Sequence, residues 1–333
     1  MTVSYFEIHT RGSTAAWDIS DIATDIEWTT DVGFAAGELK FSLIEVDEGF
    51  APKNGDVVSF KWNDSEVFFG YVFSTSFKSD GVVDVVAYDR LRYLKNQDTI
   101  VWEVSTALQR FNDIMERLRL PHRNISENTL ALSAEVSDGK TYFDMLKSAF
   151  DSTETSTGNR YIMRDMYGTV EFVRISSSSG AYLPLRTGLV VGDNSLLTDF
   201  TYGTSIDDLY NVVKLIKETE NEQKRTVYTT QTANSNDSQM KYGTLQTVEK
   251  ADDNLNDSQM QDRANQLLRQ YNKEKVTLTL DAIGDLTLRA GTRFYIDIKQ
   301  LNNFGIGMRE VLATKVTHNF KKDWSMTVDV EVI

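Results

Sequence analysis

Residues 325–332 read Ser-Met-Thr-Val-Asp-Val-Glu-Val, with Met326, Val328, Val330 and Val332 alternating against Thr327, Asp329 and Glu331. A period of two sends apolar side chains to one face and polar ones to the other, the pattern of a half-buried β-strand. The same alternation runs through Val276, Leu278 and Leu280 against Thr277, Thr279 and Asp281. It recurs in Phe294, Ile296 and Ile298 against Tyr295, Asp297 and Lys299, and in Val58, Phe60 and Trp62 against Ser59 and Lys61. Between such runs stand Asn54-Gly55-Asp56, Asp80-Gly81 and Ala290-Gly291, residues that tolerate the positive φ of hairpin turns. The expected fold is therefore mainly β (α+β), built largely of antiparallel sheet.

Three segments follow a different period. In 105–120 the side chains Leu108, Phe111, Met115 and Leu118 recur at helical spacing and Pro121 closes the pattern, which predicts an amphipathic helix. Thr141 with Asp144 three residues on caps a second helix that carries Phe143, Met145, Leu146, Ala149 and Phe150 and is expected to end near Ser152. A third is expected over 257–271, with Ser258 and Gln261 as its capping pair and Met260, Ala264, Leu267, Leu268 and Tyr271 as its apolar stripe. Each stripe reads as core packing. Residues 176–180, Ser-Ser-Ser-Ser-Gly, read as a connector, and 229–256, polar and almost free of large aliphatics, as a long exposed excursion.

The two ends of the chain repeat one another. Gly55-Asp56 opens a strand to Trp62, a second strand covers 67–77, Ser79-Asp80-Gly81 turns, and a third runs 82–88. Gly291-Thr292 likewise opens a strand to Ile298, a second covers 310–318, Lys321-Lys322-Asp323 turns, and a third runs 326–332. Two related small β-barrels are expected.

Composition removes several kinds of chemistry. With 35 Lys and Arg against 49 Asp and Glu the net charge is −14, the wrong sign for gathering phosphates. No cysteine is present, so disulfides, thiolate zinc sites and a cysteine nucleophile are excluded. The three histidines, His9, His122 and His318, lie far apart and read as structural. Gly305-Ile306-Gly307 lacks the third glycine of a phosphate loop, and the acidic run 252–257 lacks a calcium loop's central glycine. Glu7 interrupts any secretory apolar stretch, and the longest apolar run, 67–73, is far below the roughly 18 residues of a spanning helix. The expectation is a soluble protein made in a cytoplasm, with no cofactor, no metal, no membrane contact, no sequence-specific nucleic acid and no catalytic site. Carboxylate pairs keep a hydrolase open as an alternative, and Trp17, Trp28, Trp62, Trp102 and Trp324 keep a carbohydrate-binding module open.

The stretch 70–99, and within it Ala87-Tyr88-Asp89-Arg90-Leu91-Arg92-Tyr93-Leu94-Lys95-Asn96, closely resembles the XkdQ/YqbQ family of prophage tail proteins, relatives of baseplate hubs and of the late-control protein D group. Residues 139–146 (Gly-Lys-Thr-Tyr-Phe-Asp-Met-Leu) with Thr153 and Thr155, and 159–168, look like that family's helix and hairpin. Residues 288–329, with Gly291 and Val316-Thr317-His318, are similar to its closing barrel. The resemblance implies two tail-tube-like antiparallel β-barrels, 1–99 and 198–216 with 273–333, and an α/β middle domain, 100–197 with about 217–272. It further implies a homotrimer forming a pseudo-hexameric ring that joins a hexameric tail tube to a trimeric central spike. Its partners would be the tail-tube protein, the spike or a connecting baseplate protein, and the tape-measure protein, all in a virion or tail-like particle. Tyr88, Arg90, Tyr93 and Leu94 are the interface candidates.

Overall fold

The computed structural model describes residues 3–44, 50–175, 189–220, 226–251, 255–321 and 323–333. The chain divides into two compact units, Met1–Thr201 with Thr279–Ile333, and Tyr202–Leu278.

The first unit is organised by one long sheet, as the period-two pattern demands. From one edge its order is Trp17–Asp18, Val3–His9, Val57–Trp62, Ser65–Phe77, Val83–Tyr88, Glu38–Leu43, Ala23–Asp31, Arg309–Phe320 and Ser325–Val332. Beyond these lie Lys275–Ile283 and Leu197–Ser205, through which the chain passes to and from the second unit. Arg293–Asp297 pairs antiparallel with Arg309–Phe320, and Val190–Gly192 pairs parallel with Arg293–Asp297. In Ser325–Val332 the alternation is realised, with Met326, Val328 and Val330 buried against exposed or half-buried neighbours. It fails at Val276, which is exposed: the first three residues of Lys275–Ile283 are all exposed, so alternation there has no core to face.

The internal repeat is present down to single hydrogen bonds. Gly55 and Gly291 both hold positive φ, +93° and +88°. Gly55 donates its N–H to Val72 (2.7 Å) and Val72 donates back to Asp56 (2.8 Å); Gly291 donates to Ala313 (2.8 Å) and Ala313 back to Thr292 (2.9 Å). Each turn is locked by a side chain: Lys53 N–H donates to the Asp56 carboxylate, and Arg289 N–H to the Thr292 hydroxyl. One residue past Val72 and one past Ala313 the register against the next strand slips, so both long strands carry a bulge at the same place. The two meanders, 57–88 and 293–332, are joined where Arg309–Phe320 pairs with Ala23–Asp31. A core of Phe6, Phe41, Phe60, Trp62 and Phe320 seals this junction, with Phe6 at 4.7 Å from Phe41 and Phe320 at 4.9 Å from Trp62. Such ring pairs contribute about 0.5–1.5 kcal/mol each beyond their buried area.

A second core in this unit is helical. Helices α1 (Ala107–Arg117) and α2 (Tyr142–Thr157) pack with Arg160–Asp165, Val170–Ile175 and His122–Asn124 around Phe111, Ile114, Leu146, Phe150 and Phe172. Leu108 and Leu118 lie half-buried at its margin. Helix α2 runs past the expected end at Ser152 to Thr157. The Thr153 and Thr157 hydroxyls bond the carbonyls four residues back, so these polar residues continue the helix, and Gly158 stops it at φ +71°. The expected connector 176–180 lies outside the described residues.

In the second unit Val212–Glu220 is flanked by Thr226–Asn234 (antiparallel) and Gln246–Lys250 (parallel), with α3 (Asn236–Tyr242) between the flanking strands. Helix α4 (Asp257–Tyr271) covers Val213, Leu215 and Ala233 with Met260, Ala264 and Leu267. The described residues of 229–256, read as a long exposed excursion, are mostly exposed or half-buried and belong to Thr226–Asn234, α3 and Gln246–Lys250. The β-branched residues there suit strands, and two small apolar positions, Ala233 and Ala251, pack the stretch into the core under α4. The α4 cap also differs from expectation: the box is Asn256 with Gln259, two residues before the expected pair of Ser258 and Gln261.

Candidate functional site

The segment Ala87–Asn96 sits where Val83–Tyr88 ends. Asp89 caps the short helix Arg90–Lys95 by accepting from Leu91 N–H (3.0 Å), while its other oxygen accepts from Gly37 N–H (2.9 Å). Asp89 and Asp165 are both buried, and burial, then their mutual proximity, holds Asp89 well above the usual carboxylate range; burial also raises Asp165. Their counter-charge is Arg289, a half-buried residue whose Nε is sealed from solvent. Arg289 donates to the Asp165 carbonyl (2.6 Å), lies over Trp28 (5.3 Å), and is pushed down to about 10 by burial. The void among these groups is about 10 Å³. That is room for a single water and none for a substrate. This cluster pins three distant stretches of chain together.

The four interface candidates separate into different roles. Tyr88 is half-buried in the sheet, facing Glu38 and Tyr71 in the ladder, with its ring 5.5 Å from Phe73. Its hydrogen bond to Glu38 raises the phenol above its ordinary range. Leu94 has no exposed surface and belongs to the helical core, so as an interface contact it is corrected to an internal anchor of its helix. Arg90 and Tyr93 do come together. Arg90 donates to the Gly168 carbonyl and stacks over Phe69 (5.0 Å), and Tyr93 lies 5.7 Å from Tyr71.

Both line an open cleft of about 500 Å³. The sequence reading missed its other cations: Arg11, over Tyr71 at 5.1 Å, and Arg117 and Arg119 at the end of α1. A usable signal was present, because Arg-Leu-Arg occurs both at 90–92 and at 117–119. Among the described residues no group of three His, Asp or Glu is placed to hold a metal. Trp28, Trp62 and Trp102 are buried and offer no sugar-stacking platform, whereas Trp17 is half exposed beside Phe50.

This mainly β fold is shared with solved phage-type tail proteins. It superimposes on the 43 kDa tail protein of prophage MuSo2 from Shewanella oneidensis with a TM-score of 0.71, at 10% identity, over 98% of both chains. The chain belongs to the YQBQ-like family, whose model matches residues 26–332. It is 31% identical over 292 residues to YqbQ of Bacillus subtilis (strain 168), covering 84% of this chain and 82% of that protein. It is 29% identical over 287 residues to the phage-like element PBSX protein XkdQ of the same strain, with the same coverage.

Proposed function

We propose that this chain is a structural hub of a phage tail or phage-tail-like contractile particle. The observation that carries this is the repeat: two meanders with equivalent opening glycines, equivalent locking hydrogen bonds and equivalent bulges within one chain. Two similar meanders per chain, 57–88 and 293–332, and three chains per ring give six near-equivalent positions, as an adaptor between a hexameric tube and a trimeric spike requires. Helices α1 and α2 with the strands they pack on, and the separate unit Tyr202–Leu278, have no counterpart in the repeat and break the sixfold likeness. We therefore assign the barrel face to the tail-tube protein and the opposite face to the spike or a connecting baseplate protein, with the tape-measure protein a further contact. The names of XkdQ and of the MuSo2 protein fit this role. A net charge of −14 suits a lumen that must not retain DNA. The role asks for no catalytic step and places the chain in a particle's baseplate.

Cryo-electron microscopy of particles from the producing strain tests this reading. Three copies in a ring between tube and spike are expected, and two or six copies would sink it. Crosslinks from α1 are expected to reach spike-side proteins. Crosslinks mainly to tube subunits would reverse the two faces.

A further inference from the structure

The cleft between the short helix Arg90–Lys95 and the end of α1 gathers Arg11, Arg90, Arg117 and Arg119 in a chain whose overall charge is −14. The concentration of cations is local and runs against the composition. Arg11 and Arg119 are exposed, while Arg117 is matched by Asp113 at 2.6 Å. Tyr71 and Tyr93 form one wall, and Leu118, Leu120 and Pro121 supply apolar surface on the other.

Arg119 is placed there at a conformational cost. The α1 terminus is a complete stop motif: Leu120 N–H donates to Met115 (2.9 Å) and Arg119 N–H to Glu116 (3.0 Å). That motif puts its pivotal residue in left-handed backbone, and Arg119 sits at φ +52° where glycine would be unstrained. Helix termination alone favours glycine here. An arginine at the pivot instead directs a guanidinium to the cleft.

We propose that this cleft binds an acidic peptide segment of a partner protein, one carrying at least two carboxylates beside an aliphatic or aromatic side chain. Planar guanidinium groups pair bidentately with carboxylates, and arginine with tyrosine is the composition of protein-interface anchors. The cations come from both sides of the cleft, so two carboxylates on one segment engage more of them than a single small acid does. The Leu118, Leu120 and Pro121 surface serves an apolar side chain. Nucleic acid is the poorer ligand, because a charge every ~1.7 Å along a duplex meets the repulsion of the whole acidic chain, whereas a short segment feels mainly the local field. This inference stands on the cleft and does not depend on the hub reading.

The test is titration of the purified full chain, by fluorescence anisotropy at low salt, with three labelled probes: the peptide Asp-Leu-Glu-Leu-Asp with blocked termini, its Asn/Gln counterpart, and oligothymidylate. Saturable binding of the acidic peptide is expected, at least tenfold tighter than that of its neutral counterpart and weakened at least tenfold by Arg11→Gln with Arg119→Gln. Arg119→Gly should weaken binding while raising the melting temperature, separating recognition from helix termination. Asp113→Asn, which removes the carboxylate bonded to Arg117, should tighten binding at least twofold and gives an independent reading if the arginine variants lose stability. Equal binding of both peptides, indifference to Asp113→Asn, or tighter binding of oligothymidylate than of the acidic peptide would each overturn the proposal.

Discussion

His318 shows what burial does to one titrating group. It has no exposed surface, its Nε2 donates to the Leu288 carbonyl at 2.8 Å, and its ring stacks on Trp28 at 5.4 Å. Burial lowers it from 6.5 to about 4, so the folded chain refuses a proton that the unfolded chain accepts. Its contribution is fully present above pH 6.5 and is lost as pH falls toward 4, a change on the order of 3 kcal/mol. Urea melts at pH 4, 5, 6 and 7 are expected to show the parent losing more stability toward pH 4 than His318→Phe does. Parallel losses would show that another group dominates. The sequence placed His318 near a strand, but its depressed affinity comes from Trp28, Phe320 and Trp324, which only the fold assembles around it.

The helices divide by the quality of their starts. Thr106 and Asn256 each complete a reciprocal box, with Gln109 and Gln259, whereas Ser235 before α3 makes no side-chain cap. Thr106→Ala and Asn256→Ala should each cost about 1 kcal/mol in denaturant melts, and Ser235→Ala close to nothing. A comparable loss in Ser235→Ala would mean that the α3 cap differs in solution. At this scale the amphipathic stripes of α1, α2 and α4 were legible because each buries one face. Helix α3 was not, since none of its residues is buried and no stripe marks it. The α4 cap was misread because Ser258 and Gln261 have the same spacing as the true pair, and a spacing does not say which turn comes first.

Across the molecule, Asp89, Asp165 and Arg289 bring three distant parts of the sequence to one point. In Arg289→Leu two buried carboxylates lose their counter-charge, at a cost of roughly 3 kcal/mol at pH 7, the low end for a broken buried pair because Arg289 is half-buried. The carboxyls are already raised in the fold and would be raised further, so the fold holds their protons more tightly than the unfolded chain. Stability is then greatest at low pH and declines as pH rises through the carboxyl range. The variant's deficit against the parent should shrink toward pH 4 in thermal melts. A pH-independent deficit would show that packing, rather than charge, is what Arg289 supplies.

The sequence by itself determined the class of fold, the three amphipathic helices and the repeat, since each rests on local periodicity or on a glycine whose turn needs positive φ. Leu94 and Gly70 mark where that information ends. Leu94 reads like its neighbours in the Ala87–Asn96 run yet is internal, and Gly70 is a glycine in mid-strand because a Cβ there would come 2.2 Å from the Tyr88 carbonyl. The buried charge cluster and the arginine cleft were decided only by the tertiary structure. Asp89, Asp165 and Arg289 lie far apart in the chain, and although Arg-Leu-Arg recurs at 90–92 and 117–119, no local pattern says that the fold brings the two copies to one cleft.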